Sequence, residues 1–122
     1  TIMPIDIATF RPRNAGDFLN ALVQVAQGEL RNRWTRVEGD LRPYLQALAQ
    51  AAARVRLKLA SGEYTQQDAD FALHGQELAI NQFIQYSHLV VYATAQSLIN
   101  ALFRTVSQLI RNSTGIELSW LF

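Results

Sequence analysis

Apolar residues recur at steps of three and four along most of the chain. The first series is Leu19, Val23, Ala26, Leu30, Trp34, Val37, Leu41, Tyr44, Leu48, Ala52, Val55 and Leu59. Its mean step is close to 3.6, the period of a straight α-helix rather than of a strict heptad coil. Asn14 followed by Asp17 reads as an N-cap with an acid in the first turn. Ser61-Gly62 reads as a stop, preceded by the cations Arg54, Arg56 and Lys58 that a helix C-terminus favours. One conflict lies inside the series, between Gly39 and Pro43. An interior proline costs roughly 3 kcal/mol, whereas a proline in a first turn costs little. With Asp40 as a fresh N-cap, the pattern predicts two near-collinear helices, about 15–38 and about 41–60, meeting at a kink.

The second series opens on Thr65 and Asp68 in capping-box spacing. No proline follows, and no glycine stands between Gly75 and Gly115. The expectation is one unbroken helix over 66–112, roughly 70 Å long at about 1.5 Å per residue. Its apolar positions fall in three stripes. One holds Leu73, Ile80, Ile84, Val91, Leu98 and Leu102, a second Tyr92, Ile99, Phe103 and Val106, and a third Phe83, Tyr86, Val90, Ser97 and Ala101. A helix apolar nearly all round is a core helix. At the two ends Ile5, Ile7 and Thr9, and Ile116, Leu118 and Trp120, alternate with polar residues as short strands or extended arms do. Pro4 and Pro12 flank the first and disfavour a central-strand role.

The expected fold is therefore all-α: a long antiparallel helical hairpin in a single domain, 1–122. It divides into an extended arm (1–13), a kinked first helical arm (14–60), a long second helix (65–112) and an apolar tail (115–122). Charge sharpens this picture. Only 17% of residues are charged, against roughly 25% in an average globular protein, and none of them falls in 78–103. That stretch is long enough to span a membrane, but Gln85, Ser87, His88, Gln96 and Asn100 are costly in hydrocarbon, so a membrane partner is not expected. A hairpin alone covers only one side of such a helix. The remainder predicts self-association as a homodimer or higher homo-oligomer that closes a helical bundle. The predicted oligomer interface is Phe83, Val90, Tyr92, Ala93, Ser97, Ile99, Ala101 and Phe103. Ala93, Ser97 and Ala101 form a small-residue ridge, and a turn near Gly62 sets Gly28 roughly opposite Gln96 and Ser97. Gly28→Leu is then expected to overpack the contact. Leu118, Trp120, Leu121 and Phe122 form an apolar tail that either docks on a subunit or another protein, or folds back on its own bundle.

Candidate chemistry is sparse. The chain has no cysteine, hence no disulfide and no thiolate metal site. His74 and Glu77 stand at i, i+3, the reverse of the Glu-x-x-His order of di-iron bundles, and are read as a structural pair. His88 is read as a core or interface histidine. No nucleophile arrangement and no phosphate loop is visible, so no catalytic residue, metal or cofactor is expected. Arg31, Arg33 and Arg36 surround Trp34 and form a possible nucleic-acid contact. Four features oppose it: Arg31 and Arg33 would point to different faces of a regular helix, Glu29, Glu38 and Asp40 interleave, Trp34 fits the apolar stripe, and net charge is only +1. Glu38–Arg42 at i, i+4 explains part of the cluster. The leading expectation is a non-enzymatic, cytoplasmic, self-associating helical protein serving as a structural, assembly or adaptor component. A small nucleic-acid-binding or regulatory protein is the alternative.

Overall fold

A computed structural model describes residues 5–87 and 92–118. Four α-helices account for most of them: α1 (Ala15–Leu30), α2 (Trp34–Ala60), α3 (Gln66–Ser87) and α4 (Tyr92–Thr114). A 3₁₀ turn, Arg31–Arg33, joins the first two. Among the described residues there is no strand.

The helix starts follow the local chemistry. At α1, the Asn14 side chain accepts from the Asp17 N–H at 2.9 Å, while the Asp17 carboxylate accepts from the Arg13 N–H at 2.8 Å. At α3, Thr65 Oγ1 accepts from the Asp68 N–H at 3.1 Å, and Asp68 accepts from the Thr65 N–H at 3.0 Å. These reciprocal bonds satisfy donors that a helix start leaves open. α2 and α4 stop at glycines. Gly62 (φ 81°) and Gly115 (φ 74°) take left-handed backbone that a β-carbon would strain.

The break in the first arm lies elsewhere than expected. α2 runs as one α-helix through Gly39 and Pro43, and the chain reverses at Arg31–Arg33 instead. The first turn of α1 returns to the middle of α2, so Ala15, Gly16 and Leu19 share a shallow cleft with Gln46, Ala49 and Gln50. Pro43 is tolerated because the carbonyl it leaves unbonded belongs to Gly39, and both residues are exposed to water. The reversal itself carries no glycine or proline: Arg31 takes φ 52°, ψ −119°.

The second arm is not one rod. The Gln66 side chain donates to the Glu117 carbonyl, two groups that a continuous helix would hold roughly 70 Å apart. α3 and α4 pack against each other, α4 also lies along α1, and α3 lies along α2. Ser97 Oγ donates to Glu29 Oε2 at 2.7 Å and fixes α4 beside the C-terminal end of α1.

This arrangement lets one chain cover the charge-poor stretch. Ile80 and Ile84 from α3, and Leu98, Ile99, Leu102 and Phe103 from α4, join Phe18, Leu22, Leu41, Leu45 and Leu48 in one core. Two helices side by side bury each other's apolar faces, so the core does not require a second chain. The N-terminal arm is a turn, not a strand: the Thr9 and Phe10 N–H groups both donate to the Asp6 carbonyl. Gln24 clamps Ile5 by accepting from its N–H at 2.7 Å and donating to its carbonyl at 2.9 Å. Asn112 donates to the Ile7 and Phe10 carbonyls at 2.9 and 2.8 Å and accepts from Gln108 at 2.8 Å.

Candidate interaction surfaces

The helices dispose the predicted interface residues unequally. Ile99 and Phe103 lie inside the chain's own core. Phe83 is half-buried and stacks on Tyr44 of α2, with ring centroids 4.6 Å apart. Ala93 and Ser97 are exposed on α4, and Ala101 is half-buried. Val90 and the side chain of Tyr92 lie outside the described residues. Gly28 is exposed, and a β-carbon built on it meets nothing within 4 Å. The overpacking expected of Gly28→Leu therefore has no structural basis, although its neighbour Glu29 does meet Ser97.

In the C-terminal tail, Leu118 is buried in the chain's own core. Trp120, Leu121 and Phe122 lie outside the described residues. Gln82 and Gln85, amides that could either bond across the bundle or face solvent, face solvent. Gln24, Gln108 and Asn112 perform that service and went unforeseen, because polar residues between apolar ones carry no mark of which backbone groups they will meet.

The sequence reading missed the most exposed apolar surface. Leu57, 61% exposed, lies on α2, while Phe71, 82% exposed, and Leu78, 49% exposed, both lie on α3. The α3 pair forms a face. They stand seven residues apart, two turns along one face, with Gly75 between them and no neighbour within 4 Å of a β-carbon placed there. Exposed Gln67, His74, Gln82 and Gln85 complete the face. The available signal was that Phe71 and Leu78 fall outside all three apolar stripes.

The Arg cluster occupies the corner between α1 and α2. Arg31, Arg33 and Arg36 are exposed, and Trp34 is buried. No ion pair among the described residues involves any of the three arginines. Glu38 instead pairs with Arg42 at 2.9 Å.

His74 Nδ1 lies 3.9 Å from Glu77 Oε2. Among the described residues no group of three or more His, Asp or Glu comes together to hold a metal, and no helix is long and apolar enough to cross a membrane. The cleft between α1 and α2 is lined by Leu19, three small residues and two glutamines, with no charged group in its wall. No family model, curated protein or solved structure matches this chain.

Proposed function

We propose that the chain is a non-enzymatic, self-associating helical protein that serves as a structural or assembly component through its packing surfaces. The exposure of Phe71 and Leu78 on one face of α3 carries this reading. Large apolar side chains left in water on one face mark a surface that another protein covers. The same face of a second copy fits it. In an antiparallel pair of α3 helices related by a two-fold axis close to Gly75, Phe71 of each copy lies opposite Leu78 of the other. Both apolar contacts form at once, as an isologous interface requires. Gly75 sits where the backbones approach most closely. Asp70 and Glu77 are half-buried beside this face, so the pairing brings no two carboxylates together.

One helix crossing is a small interface, at or below the roughly 1,200 Å² low end of specific complexes. The expected association is therefore reversible and concentration-dependent. Sedimentation equilibrium tests it: the mass should rise with concentration from 13.7 kDa toward twice that value. Phe71→Ser and Leu78→Ser should each hold the chain monomeric without lowering its melting temperature. A wild-type chain that stays monomeric at the highest concentrations reached would overturn the proposal.

A further inference from the structure

We propose that Arg31, Arg33 and Arg36 form a corner that grips the phosphate backbone of duplex nucleic acid without reading its sequence. Two of the objections the sequence raised to such a contact are answered by the geometry. Arg31 and Arg33 do not lie on a regular helix with divergent faces; they occupy the 3₁₀ turn where the chain reverses, and Arg36 follows in the first turn of α2. The carboxylates that interleave in sequence are engaged elsewhere: Glu29 accepts from Ser97, and Glu38 pairs with Arg42. Asp40, a turn beyond Arg36, makes no ion pair with it. Residues 31–36 thus carry three exposed guanidinium groups and no acid, a local charge that the near-neutral whole conceals.

The backbone holds the first of these arginines at the turn. Arg31 is the only non-glycine residue with positive φ among those described. Its φ 52°, ψ −119° is a conformation that glycine adopts freely and an L-residue adopts at a cost. The reversal uses this conformation: the Arg31 N–H donates to the Gln27 carbonyl and the Arg31 carbonyl accepts from the Trp34 N–H, so the turn sets an arginine where a glycine would be less strained.

The partner's class follows from what the corner lacks. Trp34 is buried, so no aromatic platform is offered to unstacked bases, which single strands exploit. Leu30 and Val37 are buried too, so no apolar side chain is presented to a lipid surface. What remains is guanidinium, with exposed Asn32 and Thr35 between, the equipment that binds backbone phosphates and fixes position without specifying sequence.

Fluorescence anisotropy with a mixed-sequence DNA duplex, titrated with salt, tests the assignment. Three phosphate contacts predict a log–log salt slope of about −2.7, or about a 40-fold loss of affinity from about 50 to about 200 mM salt. Each of Arg31→Ala, Arg33→Ala and Arg36→Ala should lower the slope by about one, and Arg31→Lys should retain it. Arg31→Gly should raise the melting temperature while weakening binding, a pairing that a purely structural arginine does not give. Phe71→Ser should bind like the wild type, which separates this corner from the α3 face. Absence of duplex binding at low salt overturns the proposal. So does a slope unchanged by Arg33→Ala, whose side chain makes no contact that folding needs, or capture by anionic vesicles with none by duplex.

Discussion

Replacing Asn112 by alanine tests how the N-terminal arm is held. The Asn112 amide donates to the carbonyls of Ile7 and Phe10, linking the last described helix to the beginning of the described chain. Each such bond contributes about 0.5–1.5 kcal/mol net, so Asn112→Ala should cost about 1–3 kcal/mol. An unfolding entropy of about 2.1 cal/mol/K per residue over this length converts that to a fall in melting temperature of about 4–12 °C. Calorimetry measures the fall, and hydrogen exchange locates it. The amides of Ile5, Thr9 and Phe10, bonded to Gln24 and Asp6, should lose protection while those of α2 keep theirs. Because Gln24 clamps the same arm, Gln24→Ala and Asn112→Ala should not add. Once either releases the arm the other has less to lose, leaving a coupling of about 0.5 kcal/mol or more. Strict additivity, with unchanged exchange at Ile5, Thr9 and Phe10, would refute the view that these two amides hold one unit.

Two further substitutions probe the helices themselves. Pro43→Ala restores a donor to the Gly39 carbonyl inside α2 and removes an unfavourable residue, so it should stabilise the fold by up to about 3 kcal/mol; a lower melting temperature would show that the proline shapes α2 in a way the core needs. Gly28→Leu on the exposed side of α1 should be neutral or stabilise by up to about 1 kcal/mol, and a destabilised variant would mean that α1 and another surface meet there.

Helix content and helix ends were legible because their causes are local. Asn14 and Thr65 offer side-chain acceptors to nearby backbone N–H groups, and Gly62 and Gly115 offer positive φ. The reversal at Arg31 was not legible, since an arginine announces no left-handed backbone. It also drew attention to Gly39 and Pro43, the louder signal, which water on an exposed helix face makes tolerable. The number of helices in the second half was misjudged for a related reason: the apolar period continues in phase from Ile80 to Leu102, and periodicity cannot distinguish one long helix from two that pack together. The expectation of a core shared between chains rested on that single rod. The surfaces were partly legible. The arginines were found from their clustering around Trp34 in the sequence, whereas Phe71 and Leu78 become conspicuous only once most other large apolar side chains are seen to be buried.

The pairing of α1 with α4 has a consequence for the order of folding. The contact from Glu29 to Ser97 spans 68 residues, and that from Ile7 to Asn112 spans 105. α1 can meet α2 as soon as both have been synthesised, but its surface toward α4 has no cover until the fourth helix emerges. At about 5–20 residues per second, the 68 residues between Glu29 and Ser97 represent about 3–14 s in which a growing chain carries that apolar surface bare. The step that completes the bundle is thus the latest and the least local, and it is where a nascent chain is most open to capture by another chain or by a chaperone.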